Sequence, residues 1–238
     1  MRRGGAVLTL MMLLVTACGL PRDTANTLAD VRDGVLRVGV TENPPWVTVP
    51  DEGPPSGAEV TLAAQLAAEL GAEVEWYPGS ESELMAALKD RVLDVVVGGL
   101  DAKAPWTKEA SLTRPYVTTR TLVAAPAGVR VPDDLTGHRV AVRGGTADVA
   151  ALTSEGAVVV TVDEVTGAEG LPVVVGEWRL AELGLTSSRH ELGSTDHVWA
   201  LPPGENAWQV EVERFLLAHS HADTMRLLVE AQRAEAAR

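Results

Sequence analysis

The chain of 238 residues holds a single cysteine, one phenylalanine and two tyrosines, and aromatic residues make up only 4% of it. A lone thiol cannot close an internal disulfide, and no cysteines stand in pairs at metal-ligand spacing, so neither a disulfide framework nor a zinc knuckle organises the fold. Basic residues are scarce as well: 20 Lys plus Arg face 33 Asp plus Glu, a formal charge of −13. Phosphate backbones and anionic bilayer surfaces carry the same sign, so nucleic acid is not an expected partner and polybasic membrane binding is disfavoured. None of the five histidines lies in an HExxH pattern, in a Gly-x-Ser-x-Gly partnership or beside the cysteine. His219 and His221 flank a turn, and two ligands do not close a zinc shell. No phosphate loop or dinucleotide fingerprint is present either, so no metal, cofactor or enzymatic activity is expected, an acid or base role for Glu177 or Asp101 being the residual alternative. With 46% apolar residues the chain can nevertheless bury a substantial core.

The N-terminal stretch differs from the rest. Arg2 and Arg3 precede an apolar run over 6–16, about half the roughly 20 residues that a spanning helix needs, and the small-residue stretch after it ends at Cys18. This reads as a signal peptide over 1–17. Leu14-Val15-Thr16-Ala17-Cys18 resembles the bacterial lipobox, which implies cleavage before Cys18, lipidation there, and attachment to the membrane through the N-terminal lipid alone. Residues 18–33 then read as a tether.

Further on, hydrophobic periodicity alternates between strand and helix. Residues 36–40 alternate as a strand and run into Asn43-Pro44-Pro45-Trp46, where two prolines cannot donate to a ladder. Val60, Ala63, Ala67 and Leu70 share a helical face, with Gly71 as a stop. A strand over 72–77 follows, and Ser80 with Glu83 forms a capping-box pattern that opens a helix over 81–89. The Val-rich run 93–97, closing in Gly98-Gly99, reads as a strand buried on both faces. This is an α/β arrangement with parallel strands, and ligands in such sheets sit beyond the strands' carboxyl ends. Beyond Tyr116 come strands over 121–125, 138–143, 158–162 and 172–175, and then two amphipathic helices over 205–218 and 222–236. A helix from residue 147 exposes its first amides at Gly145-Thr146, where Thr146 reads either as an anion contact or as a helix cap.

The order of Leu36-Arg37-Val38-Gly39-Val40, Gly57-Ala58-Glu59-Val60, Asp94-Val95-Val96-Val97-Gly98-Gly99 and Pro115-Tyr116 resembles the first lobe of family 3 extracellular solute-binding proteins, the polar amino-acid receptors of ABC importers. The stretch 134–142 with Gly145-Thr146, and Val173-Val174-Val175-Gly176-Glu177, are similar to that family's second lobe. The resemblance implies a periplasmic-binding-protein type II-like α/β fold: two lobes joined by two crossing segments that close on a solute. The lobes would be 34–118 with 199–238, and 119–198. The second lobe looks short, because few residues separate the strands at 162 and 173 where the family fits a helix. The implied protein is a monomer that delivers a small polar solute to ABC permease subunits.

The family holds an amino acid's carboxylate with a first-lobe arginine and its ammonium with a second-lobe acid. Counting back from Pro115-Tyr116 puts Trp106 at the arginine position and Asp101 where threonine is usual, so that clamp is absent. The expected crevice then gathers Trp46, Gly99, Asp101, Trp106 and Glu177, and aromatic faces beside carboxylates favour a cationic or zwitterionic solute. Trp106 reads equally well as a packing residue. Arg143 and Thr146 are the counterweight that could take a carboxylate. Glu59 reads as structural. The alternative reading is a lipoprotein that kept the fold, lost its solute and acts through protein contacts.

Overall fold

The structure, a computed structural model, describes residues 23–237, so the expected signal peptide and Cys18 lie outside the described residues. Strand β1 (Val35–Val40) buries Leu36, Val38 and Val40 completely. Helix α2 (Ala58–Glu69) leads to β2 (Glu73–Pro78), which pairs parallel with β1; a shorter helix, α1 (Thr27–Val31), precedes β1. Ser80 and Glu83 make the reciprocal capping bonds expected of them and open α3 (Glu81–Lys89). The run of valines becomes β3 (Val95–Asp101), parallel to β1 and buried on both faces over its first half.

After the two-residue strand β4 (Ser111–Leu112) the chain enters β5 (Val117–Pro126) and then β6 (Arg139–Arg143), α4 (Ala147–Ser154), β7 (Val158–Val162) and β8 (Val173–Gly176). A single 3-10 turn, Glu177–Arg179, follows β8, and the long strand β9 (Leu185–Leu201) returns antiparallel to β5. Helices α5 (Asn206–Ala218) and α6 (His221–Ala236) close the chain. The strands lie in the order β2-β1-β3-β9-β5-β8-β6-β7. Parallel triplets thus stand at each end, with the antiparallel pair β5 and β9 between them.

Burial follows that division. Residues of β1, α2, α5 and α6, with Trp199 and Trp208, pack one face of the first triplet, while Leu84, Met85, Leu88 and Leu93 pack the other. The second triplet has its own clusters, one under α4 through Leu135, Val140 and Leu152, and one on the opposite face. Among the described residues that opposite face is covered mainly by Val165, Leu180 and Leu183, because 163–172 forms no helix. The second half is as short of a layer as its sequence implied.

The tether reading needs correction for residues 23–33. Val31 within α1 is 1% exposed, and Asp23 bridges to Glu205. Glu205, 2% exposed, accepts from the Thr24 hydroxyl at 2.7 Å and the Ala25 amide at 2.9 Å, and it pairs with Arg91. A buried carboxylate needs donors, and this segment supplies them. Although burial pushes the Glu205 carboxyl up, the bonds from Thr24, Asp23, Arg91 and Thr27 outweigh that and hold it at about 2.

Because the folded carboxyl titrates below the ordinary value near 4.5, Glu205 contributes stability that is complete above about pH 4.5 and lost as pH falls toward about 2. Glu205→Ala should cost about 2 kcal/mol, through the donors left unpaired, and should raise hydrogen exchange across 24–32 while leaving β6 and β7 protected. Unchanged exchange over 24–32 would show that the segment docks by other means.

Candidate functional site

The loop over 41–47, just past β1, meets Gly98-Gly99 of β3, and its Pro44 lines a concavity with Arg143 and Arg179, which stand at the carboxyl end of β6 and just past that of β8. The meeting is close. A Cβ on Gly98 would lie 2.1 Å from Thr41 Cγ2, and one on Gly99, whose φ is +67°, would lie 2.6 Å from Trp46 Cδ1. Asn43 Nδ2 donates to the Gly98 carbonyl at 2.8 Å. Below this contact lies Glu59 at the start of α2, with no exposed surface. Its Oε2 accepts the Gly98 and Gly99 amides at 2.6 and 2.7 Å, and its Oε1 accepts the Tyr116 hydroxyl at 2.7 Å and Trp199 Nε1 at 3.1 Å. Burial pushes this carboxyl up, and its four donors pull it only part of the way back. Glu59 is therefore a framework residue that sets the end of β3.

His197 of β9 lies against the same loop. Its ring stacks on Trp46 with centroids 4.0 Å apart. Nδ1 is 3.2 Å from the Gly99 carbonyl, which can only accept, so this nitrogen carries the proton and Nε2 accepts the Thr119 hydroxyl at 2.8 Å. Burial, opposed by the Gly99 carbonyl and by Asp101 and Asp196, lowers the ring's pKa from 6.5 to about 4.

The cleft between the two halves opens beside this framework. One concavity of about 240 Å³ is lined by Pro44, Arg143, Asp163, Glu164, Arg179, Gln232 and Glu235. A second, of about 190 Å³, shares Arg143 and Arg179 with it and extends to Thr121, Thr146, Asp148 and Trp178. Burial raises the Asp148 carboxyl, with a partial offset from Thr146. Small-solute sites are concave, with a few convergent polar groups. This one brings guanidiniums and carboxylates together within reach of one small molecule.

Of the residues that the sequence singled out, Arg143 and Thr146 line this cleft. Thr146 precedes α4 without a side-chain cap; its hydroxyl donates to the Arg143 carbonyl at 3.0 Å. Gly99 serves the framework, and Asp101 Oδ1 accepts the Lys103 amide at 2.9 Å. The aromatic and acidic cage does not assemble. Trp46 is 4% exposed, enclosed between Gly99 and His197. Trp106 bonds Glu81 through Nε1 and packs on the cluster around Leu84. The Glu177 carboxylate is held by Arg120, whose Nε and Nη2 donate at 3.0 and 2.7 Å and whose backbone amide donates at 3.0 Å. Arg120 thus already neutralises this carboxylate, and His221 Nε2 lies 3.8 Å from its Oε1 as well. Glu177 lines a separate, more apolar groove with Trp178, Met225 and Val229. Arg179, Asp163 and Glu235 were not read from the sequence; the one available signal was the position of Arg179 just past the carboxyl end of β8.

The profile of bacterial extracellular solute-binding proteins, family 3, matches residues 36–231. A Vibrio cholerae protein, membrane-bound lytic murein transglycosylase F, is 36% identical over 95 residues, which is 39% of this chain and 18% of that protein. The L-cystine-binding protein TcyJ of Escherichia coli is 30% identical over 118 residues, 48% of this chain and 44% of that protein. The chain thus matches less than half the length of these curated relatives. Among solved structures, an ancestral cationic amino acid solute-binding protein superposes with a TM-score of 0.67 at 22% identity, covering 86% of this chain and 97% of that one, a likeness of fold.

Two measurements probe the framework. Replacing Glu59 with Gln turns an acceptor toward a donor, and should cost about 2–4 kcal/mol in urea denaturation; an unchanged midpoint would mean that Gly98-Gly99 holds its place unaided. The folded state keeps His197 neutral while the unfolded ring takes a proton below about 6.5. Its contribution is therefore complete above pH 6.5 and falls by up to about 3 kcal/mol as pH drops toward 4. His197→Gln should flatten the stability profile over that window, and an identical slope in the variant would exclude the ring as its source.

Proposed function

The chain belongs to the bacterial extracellular solute-binding proteins of family 3, and from that premise we propose that it is an extracytoplasmic lipoprotein, anchored through Cys18, that binds a small amino-acid-like solute and delivers it to an ABC permease. The cleft carries this reading: two arginines and three acids surround a space of about 240 Å³ between the loop after β1 and the ends of β6, β7 and β8. Similarity to proteins named for L-cystine binding and for arginine binding, both from Escherichia coli, supports the amino-acid class. Among the described residues no helix is long and apolar enough to cross a membrane. The two lobes are taken as 34–118 with 199–238, and 119–198, residues 23–33 joining the first. Closure stabilises the complex only through contacts that the solute makes with both lobes. The work is equilibrium binding rather than turnover.

The test is a thermal-shift screen of the purified chain against amino acids and small peptides, with mass spectrometry of any small molecules released when it is denatured. A ligand at 100 times its Kd stabilises by about 2.7 kcal/mol, which should raise Tm by about 5–10 °C for a chain of this size. No released molecule and no shift from any compound would favour the ligand-free reading, in which the fold acts through protein contacts.

A further inference from the structure

We propose that the cleft holds its solute's carboxylate from the second half, between Arg143 and Arg179, with the ammonium facing acids at the rim; this rests on the reading of the cleft as the solute site. The polarity is the reverse of the one that the family resemblance implies. The distribution of charge points to it. Pro44, Gln232 and Glu235 are what the first half contributes to the 240 Å³ concavity, and none of them is cationic. Both guanidiniums come from the second half, at the carboxyl ends of β6 and β8, and both line the adjoining concavity as well.

These guanidiniums are also short of partners. Arg120, Arg37 and Arg91 are each engaged by a carboxylate at short range. Arg143 makes no side-chain hydrogen bond or ion pair among the described residues. The Arg179 side chain is 16% exposed, yet its one contact is 3.5 Å to Glu164, itself 66% exposed. Arg179 Nε and the neighbouring Trp178 Nε1 are buried without any partner. Buried donors without a partner, on residues that line the cleft, call for an acceptor, and a planar carboxylate matches the guanidinium fork. Asp163, Glu164 and Glu235 in the same concavity would repel a second negative charge. A bare cation would leave the guanidiniums unmet, and a bare anion would face those acids. An α-amino acid zwitterion satisfies both.

The experiment titrates the full chain with each of the twenty amino acids and L-cystine beside its decarboxylated amine. At least one amino acid should bind, and its amine should bind at least 100-fold more weakly. Arg143→Gln and Arg179→Gln should each weaken that amino acid about 10–100-fold, the gain expected from one charge-assisted pair. Arg143 is exposed, so its variant should melt as the parent does and keeps the comparison valid if Arg179→Gln fails to fold. An amine that binds as tightly as its amino acid, or an Arg143→Gln variant with unchanged affinity, would overturn the clamp while leaving solute binding intact. If neither member of any pair binds, the solute-binding reading fails and the clamp with it.

Discussion

The buried carboxylate of Glu59 is the interaction on which the rest of the molecule depends. It has no exposed surface and no ion pair among the described residues; four donors from three separate stretches of chain satisfy it. An ionised group in such a place is tolerated only when its lone pairs are fully used. Gly98 and Gly99 must therefore present both amides inward, which fixes the end of β3 and leaves the close approach that Trp46 fills. Tyr116 and Trp199, at the points where the chain leaves and re-enters the first half, are both tied to the other Glu59 oxygen, Oε1.

From that anchor the two halves are joined by a paired ladder. β5 and β9 are in register from Val117 opposite His197 to Pro126 opposite Leu185, with irregularities on either side of Leu122. Regular pairing resists bending, and a slipped register is where a ladder gives most easily. The framework lies on one side of this irregular point and the arginine-bearing wall on the other, and Trp178, just past β8, packs back against the core of the first half.

Much of the architecture could be read from the chain because burial and sequence agreed. The alternation of β1, the unbroken valines of β3 and β8, and the Ser80–Glu83 pair state their structure locally. β9 could not be read in that way: Thr186-Ser187-Ser188-Arg189-His190-Glu191 has the composition of a loop and is a strand because β5 offers it a partner. The segment before β1 was misread for a related reason, since its order comes from Glu205, far away in sequence. Of the residues singled out in the sequence, Arg143 and Thr146 line the cleft, while Glu177 lines a different groove. The family resemblance implied a ligand-facing acid at the end of β8, and only geometry shows Arg120 already holding it, with Arg179 lining the cleft instead.

The link between Thr24 and Glu205 spans 181 positions, and this has a consequence for the order of events as the polypeptide is made. Everything that seals the first core, from Trp199 to the last two helices, is synthesised after the entire second half. An emerging nascent chain therefore has no completed first core to settle into until its final stretch is available, and contacts so distant in sequence form slowly. A protein wired in this manner remains threadable through a narrow passage for most of its production.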